Sequence, residues 1–371
     1  MQIRQQRLRI IHVRTIKANH DKKSFKRKQI LKHCKWRRNK SKLGVPKIVW
    51  KALNKEKKIF ENFERISAPR LFSLVYNTEP VLRFINRLST CFEKRKKVFV
   101  VLRHVKCITG DALVLLLSNV VEFKASGIDF NGNKPKDPKV AKQVDNSGFF
   151  KILYDEGNEK MDFKDRDSYT INDDQYIYTH ATKSVDSELT ASLIENAAEF
   201  LWGEKRRCIG VQRIMIELMQ NTNNHASRNA GEKFWWLSMT KENNPKRVCF
   251  SFIDYGMGIF RSLATKGRDD KFFGWLDRMK SICYPENHYE VLNKMMTGEF
   301  HQTVTGKSYR GKGIPGIYKE ISKESITKLV AISNDAFGNA SDDDFHKLMS
   351  PLKGTFLYWE MDESCKNLPI V

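Results

Sequence analysis

Residues 211–258 constrain the architecture more than any other stretch of this chain. Val211–Ala226 reads VQRIMIELMQNTNNHA, an apolar-periodic run that predicts a helix. Glu217, Asn221 and His225 fall four residues apart within it, so three polar groups share one helix face. Two runs with strand character follow, Lys233–Thr240 and Arg247–Ile253, joined by the turn-rich residues 241–246. The second ends in Asp254-Tyr255-Gly256-Met257-Gly258. A carboxylate at a strand end is held in place by the ladder, and glycines beyond it let the main chain approach a flat ligand. The stretch calls for an α/β layer with polar chemistry at one end.

Further signals follow in order. Leu189–Trp202 predicts another helix ahead of the first. Gly306–Gly316, GKSYRGKGIPG, stands directly before the helical Ile317–Glu324, and glycines that open a helix offer free N–H groups and a positive dipole end to an anion such as phosphate. Leu352-Lys353-Gly354-Thr355 leads into a last strand over Phe356–Met361.

In this order the helix, DxGxG, glycine-rich and Gly-Thr segments resemble the N, G1, G2 and G3 boxes of the GHKL superfamily of gyrase-type ATPases, Hsp90, histidine kinases and MutL. The resemblance covers about residues 185–363. It implies a two-layer α/β (α+β) Bergerat sandwich, with a mixed, mostly antiparallel sheet, helices on one face, and Mg²⁺ and ATP held under a mobile lid over residues 260–310. Carried over, Asn221 would complete the magnesium shell, Asp254 would accept the adenine amino group, and Gly256 and Gly258 would shape the base pocket. Gly311 and Gly313 would wrap the phosphates, and Thr355 would support the adenine contact.

Glu217 distinguishes branches of the family: histidine kinases carry a second Asn there, the ATPases and the anti-sigma serine kinases a Glu. A carboxylate in that place can orient and deprotonate a water or hydroxyl for attack on the γ-phosphate. His225-Ala226 is similar to the end of the anti-sigma N-box; read from the residues alone, it is a helix-end histidine satisfying a carbonyl. The sequence runs ten residues past the last predicted strand and includes no transducer domain with a phosphate-sensing lysine. Lys307, Lys312 or a partner would have to substitute, and strong intrinsic turnover is not expected.

Upstream, strand character over Arg70–Tyr76 and Lys97–Leu102, a helix over Asp111–Ala125, an apolar run over Gly127–Phe130 and a helix over Pro138–Leu153 argue a smaller α/β domain, placed at residues 59–182 before a nucleotide domain at 183–371. The order loosely resembles the STAS domains of anti-sigma-factor antagonists. Their phosphorylated serine would correspond to the neighbourhood of Thr109, but the residues themselves favour Thr109 and Asp111 as helix caps.

The net charge of +23 is concentrated at the N-terminus, where residues 1–58 hold twenty-one Lys and Arg against two acids and leave +4 for the rest. Such a block reads as an arm for a polyanion, nucleic acid first, with acidic protein, anionic membrane and plain solvation as the alternatives. Seven scattered cysteines without a CxxC pair read as reduced thiols. No apolar run is long enough for a membrane helix and no secretory leader is evident, which points to the cytoplasm. Three functions remain open at this point: a slow ATPase acting as a nucleotide-controlled switch in a regulatory or defence system, a serine/threonine kinase of the anti-sigma type acting on a STAS partner or on its own Thr109 region, and a nucleic-acid adaptor with a structural ATP site.

Overall fold

The computed structural model describes residues 60–146, 149, 169–172, 175–180, 185–225, 235–256, 258–260, 287–297, 320–321 and 323–365. The basic arm lies outside them. Contacts divide the chain into Met1–Asn62 and Phe63–Val371, and the second unit is the one described.

Its first part is a parallel sheet of β1 (Glu64–Ser67), β3 (Val98–Val101) and β5 (Phe130–Asn133), in the order β1-β3-β5. Parallel neighbours need a crossover, supplied here by α1 (Thr78–Glu93) and α2 (Gly110–Ala125). A short ladder pairs β2 (Leu71–Phe72) with β4 (Cys107–Ile108), and α3 spans Pro138–Asn146. The predicted strand at 97–102 and helix at 111–125 are present within a residue or so. The run Arg70–Tyr76 is different: strand pairing stops at Phe72 because the buried Asp111 carboxylate accepts from Leu74 N at 2.6 Å and Val75 N at 3.1 Å, turning the chain out of the ladder. Thr109 occupies the N-cap position of α2, but its hydroxyl makes no cap bond and donates instead to Phe72 O at 3.4 Å. The expected side-chain caps are therefore absent: Asp111 ties down the preceding loop rather than the helix it starts. Helix α1 went unread in the sequence, though Val81, Phe84, Ile85 and Leu88 form its buried stripe and Pro80 is tolerated in a first turn.

The larger sheet has six strands: β6 (Tyr169–Asn172), β7 (Gln175–His180), β8 (Trp235–Asn243), β9 (Lys246–Asp254), β10 (Lys328–Asn339) and β11 (Asp344–Asp362). Their order is β10-β11-β9-β8-β7-β6 and every pairing is antiparallel, where a mixed sheet was expected. β6 and β7, which precede residue 183, hydrogen-bond into this sheet through β8. The helices are α4 (Ser187–Trp202), α5 (Ile209–His225) and α6 (His288–Met296). Asp186 caps α4 by accepting from Leu189 N at 2.8 Å, and Gly203 ends it in the left-handed conformation.

Side chains alternate along these strands, yet both faces are apolar. Trp235, Leu237, Phe250, Phe252, Leu357 and Trp359 pack with Leu193, Ala197, Ile214 and Met215 of α4 and α5. Their neighbours Trp236, Ile253, Val330, Ile332 and Phe356 belong to a second core with α1, α2 and the parallel sheet. Helices thus cover both faces, not one as expected, and the strands read as near-continuous hydrophobic runs for that reason. The same sandwiching explains α2, whose residues 112–121 are all buried: a helix apolar all round needs cover all round.

The Phe250 and Trp359 rings stack with centroids 5.3 Å apart, both without solvent exposure. Phe250→Ala should cost about 3–5 kcal/mol, read as a shifted midpoint in urea unfolding of the full chain.

Candidate functional site

Strand β9 delivers Asp254 to the end of the sheet, opposite Trp235 of β8 and Thr355 of β11. One carboxylate oxygen, Oδ1, accepts from Gly256 N at 2.7 Å and closes a tight turn. Oδ2 has no hydrogen-bond partner among the described residues. Burial pushes the Asp254 carboxyl above its ordinary range, and the Gly256 N–H only partly offsets this.

The backbone around Asp254 leaves no room for side chains. Gly354, at φ +109°, lies so near that an added Cβ would stand 1.8 Å from the Asp254 carbonyl oxygen. Gly258, at φ +76°, would place a Cβ 2.5 Å from Asn334 Oδ1. Ser333, cross-strand from Thr355, has its hydroxyl 3.4 Å from Thr355 Oγ1, donates to Gly354 O at 3.3 Å and accepts from Ile259 N at 2.9 Å. Four stretches of the chain therefore meet at one sheet end: the start of β8, the end of β9 with residues up to 260, β10 and β11.

Of the residues singled out in the sequence, Asp254, Gly256, Gly258 and Thr355 come together here. Glu217 lies on α5, where its carboxylate accepts from Arg213 Nε at 2.9 Å, one turn earlier. Asn221 also lies on α5, but its side chain falls outside the described residues, as do Lys307, Gly311, Lys312 and Gly313. Among the described residues no group of three or more His, Cys, Asp and Glu is placed to hold a metal. None of the described helices is long and apolar enough to cross a membrane.

Sequence reasoning missed Ser333, Asn334 and Tyr255. Strand β10 was unread because Ser333-Asn334-Asp335 breaks its apolar run, at a bulge where Asn334 takes φ +52°. Tyr255, inside the Asp-x-Gly turn, points to the opposite layer: its buried hydroxyl is bonded to Ser118 Oγ and accepts from Asn119 Nδ2 at 3.4 Å, both on α2. Burial drives its phenol pKa well upward, so it is neutral at any physiological pH. The signal was there, since a Ser-Asn pair in the middle of GDALVLLLSNVVEF is a buried donor set in search of a partner.

A second polar cluster lies between the layers at the other end of β9. Arg247 donates from Nε to Glu242 Oε2 at 2.7 Å and from Nη1 to Glu360 Oε2 at 3.0 Å; Tyr358 and Tyr76 both donate to Glu360 Oε1, at 2.5 and 3.4 Å. All five groups are satisfied by one another, which marks this as a bridge between layers. Compared with known proteins, the chain matches no family model, no curated protein and no solved structure.

Two outcomes follow for the Asp254 turn. The raised carboxyl means that folding disfavours the charged form: below the ordinary carboxylate range both states are protonated and the penalty vanishes, and it grows as pH rises through the raised value. Asp254→Asn should therefore be at least as stable as the parent at neutral pH, with the advantage fading toward acid pH in denaturant titrations. Tyr255→Phe removes the hydroxyl that joins the turn to α2 while Ser118 and Asn119 keep their bonds to Leu115 O, each at 2.8 Å, and should cost about 0.5–1.5 kcal/mol, measured the same way.

Proposed function

We propose that the unit Phe63–Val371 binds Mg-ATP at the Asp254 end of the antiparallel sheet and acts as a slow ATPase whose nucleotide state switches an interaction surface. The observation that carries this reading is the register pair Asp254–Thr355, ringed by Gly256, Gly258 and Gly354. Four residues that the sequence suggested for one adenine pocket, Asp254, Gly256, Gly258 and Thr355, lie within one cluster of strand ends.

The residues present suit the base. Asp254 Oδ2, an acceptor without a partner among the described residues, matches an exocyclic amino group, and Trp235, its cross-strand partner, supplies an apolar neighbour. ATP would supply the phosphoanhydride whose cleavage resets the switch. In this reading Asn221 on α5 takes part in holding magnesium. Glu217, one turn earlier on the same face, orients and deprotonates the attacking water, and Arg213 holds its carboxylate in place. A ligand moves a two-state element only by binding one state more tightly, so the switch requires ATP to favour one arrangement of the segments around the phosphates.

The test is nucleotide binding and turnover by the purified full chain with magnesium. Asp254→Asn and Asn221→Ala should each weaken ATP binding by about tenfold or more, by isothermal titration calorimetry, the loss of a hydrogen bond to a charged group being about 1.5–3 kcal/mol. Glu217→Gln should retain ATP and lose turnover. Normal hydrolysis by that variant removes the role given to Glu217, and absence of ATP binding by the parent removes the whole reading. Label transferred from γ-labelled ATP to protein, rather than released as phosphate, would replace the ATPase by a kinase.

A further inference from the structure

We propose that the carboxyl edge of the parallel sheet is a nucleic-acid-binding surface that grips the phosphate backbone, independent of the nucleotide site and of the arm at residues 1–58. At this edge strands β1, β3 and β5 end and helices α1, α2 and α3 begin, so the positive ends of three helix dipoles face the same way. In open parallel sheets this is the edge where ligands are bound.

The loops here are cationic and tied together. Arg70 follows β1, Arg103 and Lys106 follow β3, and Lys136, Lys139 and Lys142 follow β5 and open α3. Lys106 N donates to Arg70 O at 2.8 Å, Lys136 N to Arg103 O at 3.3 Å, and Asn133 Oδ1 accepts from Leu102 N and Arg103 N at 2.9 and 3.1 Å. The three loops therefore form one continuous rim.

What sets this rim apart is how its charges are left. Most of the nearby acids are engaged elsewhere: Asp111 is buried on the amides of Leu74 and Val75, Asp145 pairs with Lys134, and Glu79 accepts from the amides of Met349 and Ser350, while Asp137 stays at the rim and accepts from Lys139 N at 3.1 Å. No carboxylate among the described residues pairs with Arg70, Lys106, Lys136, Lys139 or Lys142. The opposite edge of the same sheet is the contrast. There Arg87 and Lys96 lie 3.7 and 3.6 Å from Glu64, and Lys97 lies 2.5 Å from Asp129. Residues 59–371 carry a net charge of only +4, so the surplus at the rim is local.

Like charges crowded on one edge repel, and an anion that bridges them removes the cost. The cations spread over three loops and a helix start instead of converging on one point, which fits a repeating row of phosphates better than a single small anion. A membrane-binding surface would add apolar side chains to insert, whereas Leu71, 37% exposed, is the exposed large hydrophobic residue beside Arg70.

The experiment measures anisotropy of a labelled DNA duplex and of a single-stranded RNA with the full chain, over a series of salt concentrations. The rim variant Arg70→Gln/Lys106→Gln/Lys136→Gln/Lys139→Gln is compared with a control that loses the same charge at the other edge, Arg87→Gln/Lys94→Gln/Lys96→Gln/Lys97→Gln. Both keep residues 1–58, so the arm contributes equally. All eight side chains are at the surface, and both variants should melt near the parent temperature by circular dichroism. The rim variant should lose about 0.9 from the salt slope for each phosphate contact removed and bind duplex roughly a hundredfold more weakly near physiological salt, the control changing by about twofold or less. Equal losses in the two variants, an unchanged slope in the rim variant, or a parent that binds anionic vesicles but no nucleic acid would each overturn the proposal.

Discussion

A sheet with apolar side chains on both faces cannot stand with either face in water, and the rest of this structure answers that constraint. The six antiparallel strands place Phe250 and Trp359 toward α4 and α5, and Ile253, Ile332 and Phe356 toward α1 and α2. At about 25 cal/mol per Å² of apolar surface withdrawn from water, either face left bare would forfeit several kcal/mol, comparable with the whole stability of an ordinary domain. The small parallel sheet follows from the same requirement. α1 and α2 cover the larger sheet with one side, and their other side must itself be covered, which β1, β3 and β5 do.

The Asp254 turn inherits its rigidity from this layering. It is held from the sheet by the Thr355 and Trp235 ladders, from below by the close approach of Gly354, and from the far layer by Tyr255 on α2. Asp254 keeps a carboxylate in a place where burial disfavours its charge, an arrangement that costs stability and is common where a buried acid serves a ligand. The two neighbours in sequence thus face different ways: Asp254 belongs to the candidate pocket, and Tyr255 belongs to the seam between layers.

Much of the architecture around Asp254 was legible because its signals are local. The α5 periodicity, the paired strands and the Asp-x-Gly-x-Gly turn can each be read within about ten residues. What stayed hidden depends on distant partners. Ser333 and Asn334 look like loop residues until β11 pairs beside them, and β6 and β7 are too short and polar to announce strands without β8. Asp111 reads as a helix cap until the amides of Leu74 and Val75 come to it. The second covered face of the large sheet was foreseeable only in part: the strands are apolar at successive positions, a pattern that one-sided burial does not need.

The seam formed by Trp236, Ile253, Val330, Ile332 and Phe356 also limits how this chain can be taken apart. An engineer who lifted residues 183–371 as a portable cassette would carry away a sheet stripped of α1 and α2, and would leave β8 an open edge where β7 had been. A bare apolar plane beside an unpaired strand is a template for self-association, so such a graft would have to bring residues 63–180 with it or rebuild their contact surface on the new host.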